Sequence, residues 1–297
     1  MKQIPDISFV ILNFEGLKDT EKLLGSIHSL KSRKFSYETI VVDNGSKNDS
    51  FERFPARYPD VNLIKNQHNL GFSGGNNVGI KASRGRYVML LNNDTWFTDS
   101  SVFEMVRFMD ENTSIGAASP KILFGHYPGI IQYAGFTDLS PITLRNKAIG
   151  YCEKDCGQFD TPSETGFIHG AAVMIRREVF DKAGLLPEIF FLYYEELDWS
   201  YSVKRAGYEL WYLPLASIVH NETRNNNKFS YNKRYYMTRN RLLLAYRNRR
   251  GVQRVLSLLY LVLVAYMKDL ILLLLNGEFR QADAVIKGIF AFNMMEK

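Results

Sequence analysis

Cysteine is nearly missing: Cys152 and Cys156 stand alone in a polar stretch, with no second pair to complete a zinc site. That scarcity excludes a disulfide framework and reads as two thiols in a reducing compartment. No G-x-G-x-x-G stands at a first strand–helix turn and no G-x-x-x-x-G-K-[S/T] occurs, so a dinucleotide enzyme and a P-loop NTPase are disfavoured. Long apolar runs are also scarce. The first, Ile7 to Leu12, is too short for a signal peptide and no small-residue cleavage site follows, so it reads as a buried strand and the chain is expected on the cytoplasmic side. Internal repeats and low-complexity segments are absent. Acids are missing from one stretch, Arg224 to Arg254, which holds ten lysines and arginines. Set against a net charge of +6, this block leaves about −4 on the rest, so the basic character is local and needs an anionic partner.

What is present is ordinary for a folded protein of 297 residues, with 46% hydrophobic and 23% charged residues, which excludes disorder. Short β-rich runs at Ile7–Leu12, Thr39–Val42, Val61–Ile64 and Tyr87–Leu91 alternate with helical spacing. Leu23, Leu24, Ile27 and Leu30 mark one helix, and Val102, Met105, Val106 and Met109 another. The pattern predicts an α/β fold with a mostly parallel sheet flanked by helices, whose ligands lie beyond the carboxyl ends of the strands. Further on, the spacing predicts a strand over Phe167–Ile175, a short helix near Arg177–Ala183, a helix opened by Glu195, Glu196 and Asp198 and closed by Gly207, and strands Tyr208–Leu213 and Ala216–Val219.

The strand ends are unusually polar. Asn13 follows the first, Asp43-Asn44-Gly45-Ser46 the second, Asn69 to Asn77 the third, and Asn92-Asn93-Asp94 the next. Any one alone reads as a turn; four on one sheet edge point to a site.

These segments resemble the family 2 glycosyltransferases, of GT-A fold, and most closely their rhamnosyltransferase-like branch. FVILNF, VVDNGS, NLGFSGGNNVGI, RGRYVMLLNNDT, HGAAVMIRREVF, FFLYYEELDW and the strand leading to His220 carry the resemblance over roughly residues 7 to 220. It implies an inverting transfer of a sugar from a nucleotide diphosphate sugar, dTDP-rhamnose ahead of UDP-sugars, to a hydroxyl of a growing, lipid-linked glycan. Asn13, Asp43 and Asn44 are implied at the nucleotide. Gly71, Asn76 and Asn77, in a stretch rich in backbone N–H groups, are implied at the diphosphate, with Asn92 and Asn93 beside them. Asp94 and His220 are implied ligands of a divalent magnesium or manganese ion, which would neutralise charge on the leaving group. Glu196 is implied as the base that deprotonates the acceptor, with Glu195 and Asp198 in the same acidic motif. Gly170, Ala171 and Trp199 are implied at the acceptor, and Tyr193 and Tyr194 suit stacking on a sugar. One departure stands out: the family's arginine four residues after Asp198 is replaced by Ser202, which puts the brace of Asp198 in doubt. A protein of the same fold that binds nucleotide sugar or membrane without catalysis is the alternative, but it would be expected to have lost Glu196 or Asp94.

The expected catalytic region is 1–223, followed by a basic and apolar helical extension, 224–297. Val255 to Leu275 has spanning length. Its Leu, Ile and Val residues favour insertion by roughly −4 to −8 kcal/mol, and Lys268 and Asp269 take back roughly 5 to 7. That balance favours a helix or hairpin lying in the interface, held by the basic block on anionic lipid at the inner face of the plasma membrane. Packing on the catalytic region, or on a second copy in a homo-oligomer, is the alternative. Nucleic acid is not expected, because the basic block runs straight into aliphatic residues. A chain ending near Arg250 is expected to stay soluble.

Overall fold

A computed structural model describes residues 4–48, 51, 54–222 and 229–295. The first half follows its periodicity. β1 (Ile7–Asn13), β2 (Tyr37–Asp43), β3 (Val61–Lys65) and β4 (Tyr87–Asn92) alternate with α1 (Leu17–His28), α2 (Phe54–Arg57) and α3 (Gly71–Ala82). β1 is buried on both faces, which its unbroken apolar run requires of a central parallel strand. α1 buries Thr20, Leu23, Leu24 and Ile27 on one stripe, the face its spacing marks.

β5 (Thr95–Phe97), α4 (Val102–Glu111), β6 (Ile115–Phe124), β7 (Ile131–Tyr133), β8 (Ser163–Glu164), β9 (Ala172–Arg176), α5 (Glu178–Ala183), α6 (Glu195–Arg205) and β10 (Glu209–His220) complete the sheet region. The strand order is β3-β2-β1-β4-β9-β6-β10-β5, with β7 on β6 and β8 on β10. β1 to β4 pair in parallel, as do β6 and β10, whereas β9 runs antiparallel between β4 and β6 and β5 antiparallel to β10. The sheet is therefore mixed and flanked by helices.

Two expected elements differ. The strand expected from Phe167 begins only at Ala172, and residues 167–171 form an irregular run before it. The two strands expected over Tyr208–Val219 are one, with a register slip between Leu213 and Ser217. Pro214 lies in that slip, where a missing N–H forces the ladder to skip.

The carboxyl-terminal region is α7 (Tyr231–Asn248), α8 (Gly251–Leu259), α9 (Met267–Leu275) and α10 (Phe279–Met294). A π-helical stretch, Tyr260–Tyr266, joins α8 and α9 into one rod from Gly251 to Leu275. The expected boundary at 223/224 lies outside the described residues. These helices share a core with the sheet region: Leu242, Leu243, Leu244 and Ala245 of α7 cluster with Leu261, Leu273, Val285 and Phe292, and with Leu139, Leu144, Phe167 and Phe190. A cut near Arg250 would strip buried partners from α7, so this packing favours the alternative in which the carboxyl-terminal helices pack on the catalytic region. The basic block also turns inward. Arg239 donates to the carbonyls of Ile189 and Phe190, Arg241 to that of Thr143, and Arg249 to those of Ser140 and Pro141. Arg224 and Lys228 lie outside the described residues.

Candidate active site

The polar strand ends meet. Asn13, fully buried, accepts through Oδ1 from Gly16 N, Thr20 Oγ1 and Asn93 Nδ2, and donates through Nδ2 to Ser46 Oγ. Asp43 accepts from Ser46 N in the turn that closes β2. Asn44 donates to Asn69 Oδ1 and Gly71 O and accepts from Asn66 Nδ2 and Leu70 N. The strand ends of β1, β2 and β4 are thus one hydrogen-bonded edge, but the amides of Asn13 and Asn44 spend their capacity on neighbouring loops. Their work in this geometry is to shape that edge.

The glycine-rich stretch forms α3 itself. A Cβ on Gly75 would meet Leu12 Cδ1 at 2.3 Å and one on Gly79 would meet Val10 Cγ1 at 2.3 Å, so these glycines let the helix lie close against β1. The expected phosphate cradle is partly consumed: Gly71 N donates to Asn69 Oδ1 and Phe72 N to Phe191 O. Asn76 donates to Phe72 O. Asn77 is tied to Leu186 through both N–H and C=O and donates to Glu188, so its role is to hold α3 against the segment before α6.

A cavity of about 590 Å³ opens beyond β4 and β10, lined by Asn92, Asp94, Gly170, Ala171, Glu195, Glu196 and His220, among others. Asp94 Oδ1 lies 3.2 Å from His220 Nε2. Burial pushes the Asp94 carboxyl up, but the hydrogen bond and charge of His220 outweigh it and hold it below the usual range. The tautomer of His220 can be deduced. Glu222 only accepts, so Gln132 must turn its Nε2 toward Glu222 Oε2, at 2.5 Å, and its Oε1 toward His220 Nδ1, at 2.9 Å. Nδ1 therefore carries a proton; in the charged ring Nε2 also donates to Asp94, the state that lowers that carboxyl, and in the neutral ring Nε2 and the carboxylate are two acceptors side by side. Two acceptors at that spacing suit a shared cation, with Gln132 and Glu222 as the outer partners that orient a ligating histidine. Among the described residues no group of three His, Cys, Asp or Glu side chains assembles, so a ligand's oxygens would have to fill the remaining positions.

The same cavity is lined by Glu195 and Glu196, which open α6. The Oε2 atoms of both are buried and without a hydrogen-bond partner. Burial, together with the charge of Glu196, pushes the Glu195 carboxyl well up, and burial pushes Glu196 up to about 7. The turn that aims them is strained: Phe191, Tyr193 and Tyr194 have φ of +64°, +68° and +76°, each costing about 1–3 kcal/mol for a residue with a side chain.

Asp198 does not line the cavity. It is 1% exposed and held by Arg247, through Nε at 3.0 Å and Nη2 at 3.1 Å, and by Asn248 Nδ2 at 2.6 Å. The brace that Ser202 leaves vacant comes from α7, and Asp198 is a structural anchor. Trp199 is also corrected: it is buried against Phe180, its Nε1 donates to Gly184 O, and it touches no part of the cavity. Tyr193 and Tyr194 do line it.

Gln132, His169, Glu222 and Lys233 escaped the sequence reading. His169 lines the cavity. Burial and the charge of His220 push it down to about 3, and its Nδ1 accepts from Ala171 N, so Nε2 bears the proton as a neutral donor. A lone histidine before two small residues carries no periodic signal; only the fold reveals it. Neither cysteine forms a disulfide.

The comparisons agree with this architecture. The family model described as "Glycosyl transferase family 2" matches residues 8–184, more than half of the chain. A low-salt glycan biosynthesis hexosyltransferase, Agl10, of Haloferax volcanii is 28% identical over 245 residues, covering 81% of this chain and 75% of the relative. An N-acetylglucosaminyl-diphospho-decaprenol L-rhamnosyltransferase of Mycobacterium tuberculosis is 24% identical over 230 residues, covering 70% and 73%. Among solved structures, GalNAc-T7 with UDP, GalNAc and Mn2+ superposes with a TM-score of 0.63 at 16% identity, covering 80% of this chain and 48% of that one. A mannosyltransferase of Pyrobaculum calidifontis in complex with GDP-Man and Mn2+ gives 0.58 at 12% identity, covering 100% and 77%. The sheet with its inserted antiparallel strand and the polar edge beyond β1, β2 and β4 have that fold's form, and the chain belongs to glycosyl transferase family 2.

Proposed function

We propose that the chain is an inverting, metal-dependent enzyme that moves a hexosyl group from a nucleotide diphosphate sugar to a hydroxyl of a lipid-linked glycan. The observation that carries this is one cavity lined both by the Asp94–His220 pair and by two buried, protonation-prone carboxylates whose Oε2 atoms have no hydrogen-bond partner. Inversion needs those two functions on opposite sides of the anomeric carbon, and one base suffices. Glu196, which burial raises, takes the acceptor's proton, and its charge adds to the burial that raises Glu195 beside it. Asp43 reads the nucleotide, while Asn13, Asn44, Asn92 and Asn93 hold the edge it lies on. Gly170 and Ala171 leave room for the incoming hydroxyl. Asp94 and His220 hold magnesium or manganese, which when bound offsets the negative charge of the departing diphosphate.

The donor is dTDP-rhamnose or a UDP-sugar. The rhamnosyltransferase relative supports the first and its name a polyprenyl-diphosphate acceptor; the UDP of one structural neighbour supports the second. The enzyme acts at the cytoplasmic face of the plasma membrane, docked through its carboxyl-terminal helices. A thermal-shift panel of nucleotide diphosphates and their sugars, with manganese, magnesium or chelator, tests the donor side. The matching donor raises the melting temperature only with metal, because ligand bound to the native state stabilises it by mass action. A panel with no metal-dependent shift refutes the reading.

A further inference from the structure

The turn from Ile189 to Tyr194 leaves its carbonyls no regular ladder to join, and a buried carbonyl must find a donor somewhere. α7 supplies most of them. Asn240, fully buried at mid-helix, sets its single Nδ2 against three: Phe190 O at 3.0 Å, Leu192 O at 2.7 Å and Tyr193 O at 2.8 Å. Arg239 Nε donates to Asn240 Oδ1 at 2.8 Å, which fixes the amide with its NH₂ toward the turn, and Arg239 Nη2 reaches Ile189 O and Phe190 O. Phe191 O takes Phe72 N from α3, and Tyr194 O takes Asp198 N. Every carbonyl from 189 to 194 is thereby matched.

Two turns along the same helix, Arg247 and Asn248 grip Asp198. α7 thus holds the acidic segment at both ends: the turn just before Glu195 and the side chain just after Glu196. The carboxylates' Oε2 atoms have no partner, and the hydrogen bonds these groups accept come from backbone N–H groups of Tyr194, Glu195 and Glu196, so their position is inherited from the backbone. A released left-handed turn falls back toward ordinary backbone angles and carries the two glutamates with it.

We infer that Asn240 and Arg247 are positioning residues for sugar transfer, and that the carboxyl-terminal helix α7 is part of the machinery that aims the Glu195–Glu196 pair. This rests on the reading of Glu196 as the base.

The test compares full-length Asn240→Leu, Arg247→Ala and Arg247→Lys with the parent chain. It measures kcat on a short soluble acceptor, KM for donor, nucleotide diphosphate affinity with manganese, and melting temperature. Misplacing a reacting group by an ångström costs about 10²-fold, so kcat should fall by about that factor while KM for donor and nucleotide affinity stay put. Arg247→Lys should recover part of the loss of Arg247→Ala. A kcat close to that of the parent overturns the inference; so does a loss of kcat and nucleotide affinity together that tracks the melting temperature. If Asn240→Leu does not fold, half-buried Asn248 replaces it: Asn248→Ala should lower kcat with nucleotide affinity intact, and an unchanged kcat overturns the inference. Glu196→Gln run in parallel separates the two readings. A variant that still turns over refutes the base assignment, whereas a dead Glu196→Gln beside fully active α7 variants refutes positioning alone.

Discussion

At the scale of residues, the glutamate pair makes a testable claim about pH. Glu196 must be ionised to act as a base, and burial raises it to about 7. kcat/KM should therefore climb about tenfold per pH unit on the acid side and level off above about pH 7. Glu196→Gln should nearly abolish transfer and leave metal-dependent nucleotide binding intact. Its effect on stability has a definite sign. A carboxyl raised from 4.5 on folding stabilises the native state fully below that value and loses this contribution as pH rises through 7. The Gln variant lacks this dependence, so it should melt above the parent chain at about pH 8 and approach it toward about pH 5. A pH-independent gap between the two melting curves would refute the buried-carboxyl account. The Asp94–His220 pair makes a second claim. Asp94→Asn should weaken nucleotide diphosphate binding with manganese and change little in chelator. Gln132→Leu, which frees the His220 tautomer without touching a ligand, should cost about 10–100-fold in metal affinity. Equal losses with and without metal would mean a folding defect.

At the scale of elements, legibility followed the source of each signal. β1 to β4 were readable as short apolar, β-rich runs bounded by polar residues, and α1 and α4 because their apolar residues recur at helical spacing. β6 was not, although it is almost wholly buried, because Gly116, Ala117, Ala118 and Pro120 hide the apolar pattern of a central strand. Asp94, Glu196 and His220 could be named from local motifs, whereas Gln132 and Arg247 reach their partners across 88 and 49 residues, and no spacing rule sees that far. The glycine-rich stretch carries a second signal that motif reading does not separate: Gly75 and Gly79 also let α3 lie close against β1. Gly71 offers the sharpest test. It has φ of +74°, and a Cβ there would meet Phe191 O at 2.3 Å, while a Cβ on Gly170 meets nothing nearer than Phe72 Cζ at 3.7 Å. Gly71→Ala should cost at least about 1–2 kcal/mol and disturb the turn before Glu195, lowering both melting temperature and kcat. Gly170→Ala should leave melting unchanged and raise KM for the acceptor. If Gly71→Ala melts like the parent chain, the close approach between α3 and that turn is misdrawn.

At the scale of the whole molecule, the proposed membrane docking turns on the rod Gly251–Leu275. It is long and apolar enough to span, yet Ser257 donates to Ile142 O, Tyr266 to Thr238 O, and Asp269 pairs with Arg234. Ser257 and Tyr266 are buried and Asp269 is half-buried against Arg234, so spanning would tear them from partners they could not replace in lipid. The outer face is different: Val255, Leu259, Leu263, Ile271 and Leu275 on the rod, with Phe279 and Phe290 beyond it, are 48–78% exposed. A face this rich in exposed apolar side chains, interrupted by exposed Lys268, suits an interaction surface. With one face packed on protein, the rod suits a helix lying along the headgroup boundary. The binding energy should then come from burial more than charge, because Arg239, Arg241 and Arg249 are committed to backbone carbonyls and Arg247 to Asp198. Full-length protein should float with anionic vesicles and stay largely bound in about 1 M salt, where the screening length falls to about 3 Å. Replacing Leu259, Leu263 and Ile271 by glutamate should release it without unfolding, since exposed positions contribute little to the core. Transfer to a lipid-linked acceptor should fall in that variant while transfer to a short soluble acceptor holds. Complete release by salt would return the role to the basic block, and vesicle binding that survives the triple substitution would remove this face from the account.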